Sequence, residues 1–186
     1  MSAKIEPLLT ISDLDAMPED GNRYELFEGE IFVSRAPSLS HQIILANLLA
    51  ILRAYLDRNP IGQAIPTPGV IFSESNGAIP DIVFISSQLF RQLVFEERIN
   101  GAPELIVEIV SPGKENARRD RVVKRQVYGR FGVKEYWIVD PEKRAIEIYQ
   151  LKKHTLALMG TKMDEDEIHT QILPSLVFKA KDVFKR

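Results

Sequence analysis

Two carboxylates stand where their neighbours call for burial. Asp81 follows Pro80 and opens the apolar run Ile82-Val83-Phe84-Ile85. Glu108 sits inside a second run, Pro103-Glu104-Leu105-Ile106-Val107-Glu108-Ile109-Val110-Ser111-Pro112. Both runs read as buried strands, and an ionised acid in a low-dielectric interior is costly unless it is paired or holds a metal. Two such acids on neighbouring strands, with the backbone carbonyl of Ile109, make an oxygen-rich half-cage. A hard divalent cation, Mg²⁺ or alternatively Mn²⁺, suits such ligands and keeps several waters. That ion lowers the pKa of a bound water and neutralises charge building on a phosphate. The plainer alternative is structural, with Asp81 capping a turn after Pro80 and Glu108 paired with an arginine. Taken alone it is the better explanation, because ion pairs are common. The apolar residues on both sides of Glu108 shift the balance toward a site.

Other residues could serve the same centre. Lys124, on a helix that directly follows the Glu108 strand, could position or deprotonate a water or stabilise a developing oxyanion. The same helix carries Arg118, Arg119, Arg121 and Arg125, which read as a solvated basic face or as phosphate contacts. His41 opens the long helix after Ser38 and Ser40. It could shuttle a proton or touch a phosphate, although a plain N-terminal polar residue explains it equally well. Glu25 and Glu30 are candidates for a third carboxylate. The odd parity of their separation puts them on opposite faces of a regular strand, and Glu30 is ranked first. His154 and His169 show no metal spacing. There is no Walker loop, dinucleotide fingerprint or serine nucleophile elbow.

The elements that must carry these residues can be read from pattern. Thr10 to Met17 resembles a short capped helix ended by Pro18. Arg23–Phe27 and Glu30–Val33 alternate around Glu28-Gly29 as a hairpin. Ser38 to Arg58 is the clearest helix, with a stripe of Leu39, Ile43, Ala46, Leu49, Leu52 and Leu56 that Ile44, Leu45, Leu48 and Ile51 widen enough for deep burial. Asn59-Pro60 stops it. Residues 61–77 are rich in proline and glycine around strand-like Val70-Ile71-Phe72, and Gly29, Gly62 and Gly69 read as turns. A short helical segment lies near 87–95. A second helix spans Asn116 to Phe131, with Gly132 as its stop. Glu135–Pro141 and Ala145–Tyr149 form a hairpin, and the tail from 154 gives two or three short strands. The order predicts a mixed α/β protein around one central sheet.

The chain has 186 residues, 45% hydrophobic and 27% charged, which fits one soluble domain with a sizeable core. A net charge of −2 argues against a coat protein for nucleic acid, though not against an enzyme with a local basic patch. With no cysteine, disulfides, thiolate zinc sites and cysteine nucleophiles are excluded. No long apolar run or leader-like N-terminus is evident, so the expectation is a cytoplasmic protein with no membrane association.

Several blocks together resemble one family. Arg23-Tyr24-Glu25-Leu26-Phe27-Glu28-Gly29-Glu30 looks like its opening hairpin motif, with Glu28 where an aspartate is more usual. Ser38 to His41 resembles the start of its long helix. Pro80-Asp81 and Pro103–Pro112 resemble its paired-acid core. Asp120-Arg121, Lys124, Tyr128 and Gly132-Val133-Lys134-Glu135-Tyr136-Trp137-Ile138-Val139-Asp140-Pro141 resemble its most distinctive block. This is the Uma-type family of restriction-endonuclease-like proteins in the PD-(D/E)XK nuclease superfamily, and the match covers about residues 20–150.

The resemblance implies an α/β fold of the α+β kind, a restriction-endonuclease-like core with a mixed central sheet flanked by helices and accessory β-hairpins. It implies a single domain over 1–186, with the core at about 20–150 and a β-rich tail at 151–186. It implies a Mg²⁺-dependent endonuclease that hydrolyses phosphodiester bonds of DNA. The alternative is an inactive nuclease-fold protein that binds nucleic acid or a protein partner. Asp81 would be the acid of the Pro-Asp half-motif and Glu108 the acid of the second half. The superfamily usually sets its lysine two residues after the second acid, where this chain has Val110. Lys124 on the next helix is the natural substitute, because the chemistry needs a charge at a place and not at a sequence offset. Cutting both strands would be easiest for a homodimer.

Overall fold

The structure is a computed structural model that describes residues 8–111, 113 and 118–185. Pro112 and the predicted helix start at Asn116 lie outside the described residues, as do most of residues 1–9, which the sequence suggested were loosely held.

Local rules account for the first elements. Helix α1 (Ile11–Asp15) begins with a reciprocal cap between Thr10 and Asp13. Strands β1 (Arg23–Phe27) and β2 (Glu30–Ser34) pair antiparallel across Glu28-Gly29. Those two residues take φ of +52° and +77°, the positive pair that a tight two-residue hairpin turn demands. Helix α2 (Leu39–Leu56) starts at Ser38, whose hydroxyl accepts the His41 amide at 3.2 Å. By length and composition α2 could cross a bilayer. Here Ile44, Leu48, Leu52 and Leu56 are buried against the sheet, which makes it a core helix.

The remaining elements run β3 (Gly62–Pro66), β4 (Val70–Ser73), β5 (Asn76–Ala78), β6 (Ile82–Ser86), α3 (Ser87–Leu93), β7 (Val94–Phe95), β8 (Arg98–Asn100) and β9 (Leu105–Ile109). A π-helical segment, Arg119–Lys124, leads into α4 (Arg125–Phe131). Then come β10 (Glu135–Asp140), β11 (Ala145–Lys152), β12 (Thr155–Met163), β13 (Glu167–His169), β14 (Val177–Lys179) and α5 (Ala180–Val183). The class is α+β, mixed sheets flanked by helices. The single central sheet of the sequence-based expectation is two six-stranded sheets, ordered β2-β1-β5-β4-β8-β7 and β12-β11-β10-β9-β6-β3, with β13-β14 a small third. In the first sheet the β1–β2 hairpin and β4 are legible in the sequence, whereas β5, β7 and β8 are only two or three residues long and show little alternation. The β-rich tail joins the main sheet through β12.

The main sheet holds both acids. β6 and β9 are antiparallel, and β9 and β10 are parallel. A parallel pair needs a crossover connection, and the helical segment carrying Lys124 lies on it. Alternate residues serve two cores. Ile82, Phe84, Leu105, Val107 and Ile109 pack with α2, whereas Val83, Ile85, Ile106 and Val110 pack on the α4 side. By that alternation Asp81 and Glu108 belong to the α4 side. The β6–β9 register pairs Ile82 with Val107, and one further step sets Asp81 opposite Glu108.

Gly62 is not a turn residue. It opens β3, where an added Cβ would stand 2.3 Å from the Ile85 carbonyl oxygen and 2.8 Å from the Phe84 ring. Gly62→Ala should therefore cost about 1–3 kcal/mol through overpacking, lowering Tm by roughly 2–10 °C in a thermal melt. An unchanged melt would show that β3 and β6 are not so closely apposed.

Candidate functional site

The ends of β1, β6 and β9, the N-terminus of α2 and the π-helical segment converge on one buried polar cluster. The Asp81 carboxylate is 4% exposed. Its Oδ2 accepts the Ile109 amide at 2.8 Å and lies 3.0 Å from His41 Nε2. Its Oδ1 meets Arg23 Nη1 at 3.4 Å. An ionised carboxylate only accepts, so Nε2 carries the proton of the His41 pair. Burial pushes the Asp81 carboxyl up. The His41 hydrogen bond and charge, the Ile109 amide and the Lys124 ammonium outweigh it, and the carboxyl falls below its usual range.

Glu108, also 4% exposed, is bound from the helix. Its Oε1 accepts Lys124 Nζ at 2.9 Å and the Tyr128 hydroxyl at 2.8 Å. The same ammonium reaches Glu25 Oε1 at 3.0 Å and stands 3.8 Å from Asp120 Oδ1. Glu25 is further held by the Ile79 amide at 3.0 Å. Burial works against the Lys124 charge, but Glu108, Glu25 and Asp120 carry its pKa well above the usual lysine value. Burial and the neighbouring acids outweigh Lys124 at Glu108, whose pKa is pushed up to about 8. Asp120 is likewise raised, chiefly by burial. The two shifts are consistent, because one ammonium cannot neutralise four crowded carboxyls. The lysine stays charged, and Glu108 holds its proton to a higher pH than usual.

The expected site residues divide. Asp81, Glu108, Lys124 and His41 come together, with Lys124 buried among the acids. Glu30 does not join them. The hairpin register pairs Glu25 with Phe32 and Phe27 with Glu30, so the turn puts both acids on one face and the parity argument fails. Depth separates them: Glu30 is exposed beside the turn, and Glu25 is the buried third acid. Ile109 was expected to offer its carbonyl. Its amide already serves Asp81, and a strand residue sends N–H and C=O out of the same edge, so the carbonyl faces that side too.

The arginines also part. Arg118 is exposed. Arg119 donates to Ser34 Oγ at 3.1 Å, while its Nε finds no hydrogen-bond partner among the described residues. Arg121 is claimed by Asp140 at 2.7 Å and Glu147 at 2.8 Å, and the Arg125 guanidinium lies 5.5 Å over the Tyr149 ring. The acids and ring of the β10–β11 hairpin therefore take two of the four cations expected to contact nucleic acid. Arg23, Asp120 and Tyr128 were not singled out for the site. For the last two a signal existed: Asp120, Lys124 and Tyr128 recur at four-residue spacing, one stripe of a helix.

The cluster opens on a small polar cleft of about 40 Å³, lined by Arg23, Asp81, Glu108, Arg119 and Lys124 among others. A water needs roughly 10–15 Å³, so the cleft has room for an ion with a few waters. No three of His, Cys, Asp and Glu among the described residues are arranged as a preformed metal cage. Two carboxylates, a carbonyl and retained waters nonetheless match the donor chemistry of Mg²⁺. The buried Nδ1 of His41 also has no partner among the described residues, and an ordered water would satisfy it.

Residues 11–181 match the family described as "Uma2: Putative restriction endonuclease". The fold is similar to that of a crystal structure described as "a putative nuclease belonging to DUF820" from Anabaena variabilis. The TM-score is 0.75 at 18% sequence identity, covering 95% of this chain and 97% of that one. No curated protein matches the chain.

The Glu108 proton has a stability signature. Its folded pKa lies above the usual 4.5, so its contribution is full below that value and is lost as pH rises through about 8. Asp81, lowered from 3.8, acts in a separate window, losing its contribution only on acidification. Melting curves between those limits should show stability falling toward alkaline pH, and Glu108→Gln should flatten that fall. An equal slope in parent and variant would place the proton elsewhere.

Proposed function

The chain belongs to the Uma2 family, and on that footing we propose that it is a Mg²⁺-dependent endonuclease that hydrolyses phosphodiester bonds of DNA. The observation that carries this is Lys124 Nζ at 2.9 Å from Glu108 Oε1, in the cleft that Asp81 also lines. The helix delivers the ammonium that Val110 cannot supply from the strand.

Asp81, Glu108 and the Ile109 carbonyl would hold the cation. Bound there, it would activate a water and offset charge on the scissile phosphate. His41 and the Ile109 amide fix the Asp81 carboxylate, so that its free lone pairs face the cleft. Lys124 orients the attacking water or meets the charge that builds on the phosphate oxygens. Glu25 and Asp120 balance that ammonium and hold it in place. Arg23 and Arg119, on the cleft wall, are placed to draw the phosphate in. Cleavage of both strands of a duplex would call for two copies of the chain, hence the expectation of a homodimer.

Asp81→Ala should reduce Mg²⁺-dependent cleavage of plasmid DNA below detection, and Glu108→Gln should do the same with the fold intact by circular dichroism. Calorimetry of the parent with Mg²⁺ or Mn²⁺ should give a heat that Asp81→Ala abolishes. Cleavage by both variants at the parental rate would remove the site. A metal heat without any cleavage in the parent would favour a nuclease fold that only binds.

A further inference from the structure

A larger groove lies beside the catalytic cleft, and Ser111 lines both. It has a volume of about 710 Å³. Ile43 on α2, Val110 after β9 and Phe184 after α5 give it an apolar floor. The β10–β11 turn forms the opposite rim, with Lys143 and Arg144. Lys143 lies 3.7 Å from Asp140. Arg144 has no acid partner among the described residues, and its guanidinium lies 5.3 Å over the Phe184 ring. Arg144 is exposed in the β10–β11 turn and holds φ at +50°, a left-handed backbone that a non-glycine residue adopts at a cost.

We infer that this groove receives an unpaired nucleotide next to the scissile phosphate, so that the preferred substrate is a single strand or a frayed end. This rests on the nuclease reading and names its substrate class. An apolar floor has nothing to gain from a duplex, whose bases are already stacked and paired. A free base can lie on it and stack on the guanidinium plane of Arg144, as unpaired bases do on arginines and aromatic rings. The rim, where Arg121, Lys143, Arg144 and Lys185 outnumber Asp140 and Glu142, answers the backbone phosphates, in a chain whose net charge of −2 provides no general attraction. Continuity through Ser111 sets the bound nucleotide beside the cleft. Acids only 4% exposed, in a cleft of about 40 Å³, are also easier for a flexible strand to reach than for a rigid duplex.

Fluorescence anisotropy of a labelled oligothymidylate decamer, with EDTA present, tests the groove without cleavage. The parent should bind it at least about tenfold tighter than a duplex decamer. Arg144→Gly and Arg144→Lys should each weaken single-strand binding by about 5- to 150-fold, the range expected for one lost stacking contact. Arg144→Gly relieves the left-handed backbone, which offsets the lost contact with Phe184, so the fold should survive. Arg144→Lys keeps the charge and removes the flat face, separating stacking from attraction. Both should retain the Mn²⁺ heat of the parent. Equal affinity for single strand and duplex, or parental single-strand affinity in both variants, overturns the groove. The nuclease reading fails by a different observation, plasmid cleavage that survives loss of Asp81.

Discussion

One ammonium group holds the centre of this protein together. Lys124 Nζ lies between Glu25 of β1 and Glu108 of β9, with Asp120 from its own helix close by. Those acids come from both six-stranded sheets and from the crossover helix. Removing one partner of a buried ion pair is far costlier than never having had it, because the remaining charges stay desolvated. The cation is therefore a structural junction as well as a chemical group. The acids that make the cleft useful are the same acids that would repel one another without it.

The winding of the helix serves that junction. Residues four apart drift in one sense on an α-helix and in the opposite sense on the wider π-helix. The π-helical stretch from Arg119 to Lys124, followed by the regular turns of α4, offsets the two drifts. Asp120, Lys124 and Tyr128 thus stay in line beneath Glu108. Below them Phe27, Phe72 and Tyr136 pack against the Tyr128 ring at 5.3–6.5 Å between centroids. That aromatic layer keeps water out from underneath, and burial is the leading reason the Glu108 proton is retained.

Much of this was legible in the chain. Apolar neighbours marked Asp81 and Glu108 as buried acids, and the strand–helix order put Lys124 within reach of them. His41 was within reach because Ser38 fixes the first turn of α2. The rest depended on facts that local pattern does not contain. Glu25 and Glu30 differ by depth along a hairpin, which only packing against Ile79 and Lys124 sets. Arg121 and Arg125 look solvated until the β10–β11 hairpin folds over and pairs with them. Beside the strand-like Val70-Ile71-Phe72, residues 61–78 conceal two strands, β3 and β5, because their pairing with β6 and β1 is long-range.

Because the ammonium beside Glu108 comes from the helix, the strand position two residues beyond that acid, Val110, need carry no charge. It is 8% exposed and packs in the core on the α4 side. With the ammonium arriving on a separate element, position 110 carries no charge and answers to packing and to the apolar floor of the groove. The helix position, in turn, is free of the strict alternation that a sheet imposes. Charge and packing are thereby assigned to two residues on different elements, so a change at one need not disturb the other.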